Sequence, residues 1–133
     1  MRNFAARLIN HEAGLRSSAQ GTTVAFTVPD RMRTHLTMLM GNEGHRALLM
    51  RALALAASEV RWLREIGVGI DGSLEGLDTI LAPVTPDEAL NGGTALVAHL
   101  IGLLVAFIGE RLTLQIVREV WPKMPTKDLN FKI

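Results

Sequence analysis

The stretch Thr94 to Gly109, TALVAHLIGLLVAFIG, is apolar on every side of a helix and carries a single histidine, His99. A helix that is hydrophobic all round belongs in a protein core or in a membrane. The run is shorter than the ~20 residues a bilayer span needs, and Glu110 and Arg111 follow at once. It therefore reads as a core helix, and the remaining chain must supply the helices that cover it. Thr94, Ala98, Gly102 and Ala106 recur at every fourth position and stack into one ridge of small side chains. Such a ridge admits a neighbouring helix at close range. Ala98, Gly102 and Ala106 are accordingly read as a helix-packing interface, within the chain or between two copies of it.

The covering helices are visible on either side. Met1 to Gln20 forms a short amphipathic pattern with Phe4, Leu8 and Ile9 on one face. Gly21 to Val28, GTTVAFTV, is rich in β-branched residues and reads as extended. Pro29 and Asp30 suit a helix start, and Met32, Leu36, Leu39 and Met40 carry that helix to a stop at Gly41-Asn42. From Glu43 to Ile66, Leu49, Leu53, Ala56, Val60 and Leu63 alternate steps of four and three, a continuous seam. Asp71-Gly72, between Val68, Ile70, Leu74 and Leu77, signals a tight β-hairpin. Thr85-Pro86-Asp87-Glu88 is a helix N-terminus with a threonine cap and proline in the first turn. Asn91-Gly92-Gly93 is expected to break that helix soon after. Beyond Gly109, Leu112, Ile116 and Val120 form one stripe of a last amphipathic helix, which Pro122 and Pro125 end. The fold class is thus all-α: one domain over 1–133, a small bundle of four to five helices with a minor β-hairpin. Residues 1–28 are expected to be a loosely attached arm and 123–133 a loose tail.

Several patterns bear on chemistry. Asp71, Ser73, Glu75 and Gly76 match the early positions of a calcium-binding loop, but Asp78 and Ala82 stand where an apolar residue and a bidentate glutamate are required. A plain turn is the simpler reading, and no metal site is expected. Gly44, His45 and Arg46 open a helix and form a weak candidate anion site, opposed by Glu43. His11, His35, His45 and His99 stand at no metal-binding spacing, and neither His35 nor His45 has a phosphoacceptor context. Met32, Met38, Met40 and Met50 cluster around the first helical corner and could line an apolar pocket. There is no nucleophile elbow, phosphate-binding loop or paired-carboxylate motif, so no catalytic residue and no cofactor is assigned and an enzyme is not expected.

Composition narrows the function classes further. The chain carries 14 basic and 13 acidic residues, no cysteine and no tyrosine. Near-balanced charge gives no general attraction to nucleic acid or anionic lipid, and two tryptophans with four phenylalanines make a poor base-stacking surface. Absence of cysteine excludes disulfides and thiolate metal sites and fits the cytoplasm; the N-terminal stretch lacks the apolar core of a secretory signal. The apolar seams exceed what one bundle of this length can hide. The expected function is therefore an interaction or regulatory module that forms a homodimer or docks on a protein partner. The alternative is a small-molecule sensor with a methionine-lined pocket closed by the hairpin.

Overall fold

A computed structural model describes residues 1–15 and 24–131. Among them the chain forms five α-helices: α1 (Arg2–Leu15), α2 (Val24–Ala57), α3 (Leu77–Leu81), α4 (Pro86–Ile108) and α5 (Glu110–Val120). Two short strands, β1 (Gly67–Val68) and β2 (Leu74–Glu75), pair antiparallel, with Val68 opposite Leu74. The protein is a small helical bundle with a minor hairpin. α2 and α4 make the largest contact in it, α1 lies against both, and α5 returns onto both.

Each helix is placed by its buried stripe. In α1, Phe4, Ala5, Leu8, Ile9 and Glu12 repeat at three and four positions and are all buried. α2 begins at Val24, so the extended reading of Gly21 to Val28 fails for residues 24–28; residues 21–23 lie outside the described ones. Val24, Ala25, Phe26 and Val28 all enter the core, and that burial outweighs both the β-preference of the valines and the hydrogen bond lost at Pro29. Gly41 breaks the regular helix at φ 79° and ψ 164°, as the sequence indicated, and divides α2 into two arms. The second arm ends at Ala57, not Ile66. A 3-10 turn at Arg61–Glu65 follows, and it keeps Leu63 in the core.

α4 begins as predicted: Thr85 Oγ1 accepts from the Glu88 backbone N–H at 3.2 Å, with Pro86 in the first turn. It then runs without a break through Asn91-Gly92-Gly93, against expectation. The glycines serve contact instead. A Cβ at Gly92 would lie 2.6 Å from Cζ2 of Trp62, and one at Gly93 would lie 2.2 Å from the Cβ of Ala25. Close approach of α4 to the 3-10 turn at Gly92 and to the start of α2 at Gly93 compensates for the roughly 1 kcal/mol each glycine costs a helix interior. α4 is not buried on every side either. Thr94 to Ala98, Leu100, Ile101 and Leu104 are buried, whereas Ala106 and Phe107 are exposed. Gly109, at φ 87°, separates α4 from α5, whose Thr113, Ile116, Val117 and Val120 are buried.

The segments read as a loose arm and a loose tail carry core contacts. Phe4 of α1 meets Phe131 edge-on at 4.7 Å between ring centroids. Arg7 pairs with Asp128 and donates to the Asn130 carbonyl. Trp121 and Met124 are buried. Glu12, with no exposed surface, accepts from the indole N–H of Trp121 and the hydroxyl of Thr27, each at 2.9 Å, and lies 3.7 Å from the guanidinium of Arg31. The hairpin turn is a three-residue loop, Ile70-Asp71-Gly72, rather than a two-residue one. The Gly72 N–H donates to the Gly69 carbonyl at 3.0 Å, and the Gly69 N–H to the Ser73 carbonyl at 2.8 Å. Only Gly72 in the loop has positive φ, which excludes the mirror-image turn that needs two such residues.

Candidate functional site

The three residues of the small ridge fall on a side of α4 that other helices leave partly uncovered. Ala98 and Gly102 line a cleft of about 330 Å³ with Ala95, His99, Leu103, Glu59 and Arg2. Ala106 lines a separate groove of about 440 Å³ with Leu103, Phe107 and, from the second arm of α2, Gly44, Ala47, Leu48 and Arg51. Among the described residues nothing packs onto Gly102, since a Cβ built there meets nothing within 4 Å. The close approach within the chain occurs one helical segment earlier, at Gly92 and Gly93. Gly102 and Ala106 are thus left open by the described helices, whereas Ala98 is buried. Phe107 stands beside the groove with 75% of its surface exposed. A large ring beside a depression lined in part by glycine and alanine is a knob next to a hole.

The first cleft carries charge at its rim. His99 Nε2 hydrogen-bonds to the Glu59 carboxylate, Arg2 lies 3.6 Å from the same carboxylate, and Arg2 also donates to Asn91 Oδ1 at 2.7 Å. These contacts tie α1 and the segment after α2 onto α4. His99 therefore has a partner, which a lone histidine on an apolar stretch did not reveal.

At the candidate anion site of Gly44, His45 and Arg46, the arginine is engaged and the histidine is buried with both ring nitrogens unpartnered. Arg46 Nε donates to the Gly69 carbonyl at 2.9 Å and its Nη1 lies 3.4 Å from Glu43. His45 is buried beneath the hairpin, and a Cβ at Gly44 would press on Met40 at 3.2 Å. These residues fasten the hairpin to the helical corner instead. Asn42 Nδ2 adds a bond to the Ile70 carbonyl at 2.9 Å, and Arg33 lies 3.6 Å from Asp71. The Ser73 hydroxyl and amide donate to Asp71 Oδ1 at 2.7 and 3.0 Å and hold its carboxyl below the usual carboxylate range. Burial, with Arg33 adding to it, holds the His45 imidazole below its ordinary value.

The methionines do not converge. Met32 is fully buried, Met38 and Met50 are exposed, and Met40 is half-buried against the core. A cavity of about 290 Å³ does lie beside the hairpin, but its walls are Phe26, Pro29, Leu49, Gly72, Leu74 and Leu77 together with the polar Thr27, Asp30, Ser73 and Asp78. His35 is half-buried with Nδ1 unpartnered. Among the described residues no three His, Asp or Glu side chains gather as a metal site would require. α4, at 23 residues, is longer than the apolar run suggests and is long and apolar enough to cross a membrane; 56% of its most apolar window is buried within the bundle. The feature missed in sequence is Glu12, whose partners at positions 27, 31 and 121 give no local signal. Comparison with protein-family models, curated proteins and solved structures finds no match to this chain.

Proposed function

We propose that this protein is a small helical interaction module that self-associates through the exposed side of α4. The observation that carries this reading is the 75% exposed Phe107 beside an apolar groove of about 440 Å³. Knob and hole belong to one face, so a second copy related by two-fold rotation would place each Phe107 in the other's groove over Gly44, Ala47 and Ala106. A two-fold interface uses the same patch twice and needs this kind of self-complementarity. Burying exposed aromatic surface is a large favourable term in association, and aromatic residues dominate interface energetics. Absence of cysteine is consistent with a cytoplasmic setting. The sensor reading has less support, because the cavity beside the hairpin has none of the four methionines in its lining.

The test is sedimentation across concentration with the full chain and two variants. The unaltered chain is expected to shift from monomer to dimer. Phe107→Glu, at an exposed position, should leave helical content unchanged and weaken dimerisation by about 1,000-fold, the loss of two ~2 kcal/mol anchors, one from each protomer. Gly102→Leu should fold, since its site is open, and should also impair the dimer. A chain that stays monomeric at every concentration, or a dimer indifferent to both variants, overturns the reading.

A further inference from the structure

His45 is 1% exposed, and neither ring nitrogen has a hydrogen-bond partner. A neutral imidazole carries one N–H, so a donor is buried unpaired, a standing cost to the closed fold. The ring is roofed by the hairpin tip: a Cβ at Gly72 would lie 2.6 Å from its Nδ1 and 2.8 Å from its Cε1. Three polar contacts from α2 hold that tip down, namely Arg46 to the Gly69 carbonyl, Asn42 to the Ile70 carbonyl and Arg33 to Asp71. Two of the three reach exposed residues, Ile70 and Asp71, while the third reaches the carbonyl of buried Gly69.

The charges around the ring disfavour a second proton. From the first arm of α2 comes Arg33, which Asp30 pairs at 3.2 Å; from the second arm come Arg46 and Glu43, paired with each other. From the hairpin come Asp71, held by Ser73 and Arg33, and Glu75, which lies toward Gly67 and Gly69. None of these carboxylates bonds the imidazole. An imidazolium there would have two unpaired donors, no counter-charge in contact and a guanidinium nearby. Raising the tip would give both N–H groups water.

We propose that the hairpin is a proton-released latch, seated on neutral His45 and lifted when the ring takes up a second proton, which opens the cavity of Phe26, Pro29 and Leu49 behind it. Gly72 and Leu74 of the hairpin form one wall of that cavity, so their movement widens its mouth. The sign follows from the burial that lowers the ring's pKa in the closed form. The open form protonates near the free value of about 6.5 while the closed form stays neutral. The open-to-closed ratio is flat above that pH and rises by up to about tenfold per unit below it, until the closed form itself titrates.

Amide hydrogen exchange of the full chain at pH 7.5 and pH 5, corrected for intrinsic rates, tests this. The amides of Gly69 and Gly72 both donate hydrogen bonds within the hairpin. Their protection should fall by up to about 30-fold on acidification, while that of Leu96 to Leu104 in α4 does not follow by the same factor. His45→Leu should abolish the pH dependence. Equal protection at the two pH values, or an equal fall in His45→Leu, overturns the latch. Should His45→Leu not fold, two measurements decide. Asp71→Asn removes one anchor and should move opening to higher pH. The ring resonances of the unaltered chain should titrate together with the Gly72 amide; a ring that titrates at about 6.5 or above, or without that amide, overturns the latch.

Discussion

A carboxylate with no exposed surface must find its hydrogen bonds inside the protein, and Glu12 finds partners both on α2 and at the end of α5. Trp121 donates from the end of α5, Thr27 from the first turn of α2, and Arg31 supplies charge one turn later. Removing the acceptor strands the indole N–H of a tryptophan that is 1% exposed. Glu12→Ala is therefore expected to cost about 2–4 kcal/mol, read by urea unfolding, with Glu12→Gln intermediate because one oxygen remains. The glycines of α4 divide by the same local accounting. Gly93→Ala forces a methyl to 2.2 Å from Ala25 and should lose about 1–3 kcal/mol. Gly102→Ala meets nothing within 4 Å and should gain up to about 1 kcal/mol of helix propensity. Thermal unfolding of the two variants side by side distinguishes them, and a Gly102→Ala chain as destabilised as Gly93→Ala would show that the α4 surface is already occupied.

At the scale of elements, the hairpin depends on one backbone conformation. Gly72 has φ 83° and lies over His45. Gly72→Val meets both obstacles, since a β-branched residue resists positive φ and its side chain collides with the ring. Hairpin amides should lose protection while far-ultraviolet circular dichroism keeps its helical shape; retained protection would place the turn's stability elsewhere. The elements that could be read in sequence were those with local causes. Thr85 and Pro86 mark a helix start by the bonds they make and forgo, and Gly41 and Gly109 mark breaks through positive φ. Residues 24–28 and Asn91 to Gly93 misled because their conformation is decided by partners far away: Val24 to Val28 by the core they enter, Gly92 and Gly93 by Trp62 and Ala25. The candidate site was half-legible for the same reason. The spacing of Ala98, Gly102 and Ala106 puts them on one ridge, but only the placement of α2 decides that Gly102 and Ala106 stay open and that Gly44 and Ala47 complete the groove.

For the whole molecule, the arrangement is a pair of long helices, α2 and α4, with α1 and α5 laid across them and residues 121–131 returning to α1. One contact in that arrangement has a bearing on time as well as stability. Glu12 and Trp121 are separated by 109 positions. Glu12 emerges from the ribosome long before Trp121, so α1 has no indole donor for its buried carboxylate until almost all of the described chain has been synthesised. Closing so long a loop is entropically late, and the pairing of α2 with α4 involves nearer segments and buries more. α1 should then be the last helix to lock. In stopped-flow kinetics, Glu12→Ala should accelerate unfolding and leave the folding rate nearly unchanged, whereas Gly93→Ala, at the α2–α4 contact, should slow folding. A slowed folding arm for Glu12→Ala would instead put the clamp in the nucleus. With that order of events, the acidic side chain that fastens the finished bundle is, during synthesis, a polar group on the apolar face of α1, keeping an early helix from presenting an unbroken greasy stripe to its neighbours.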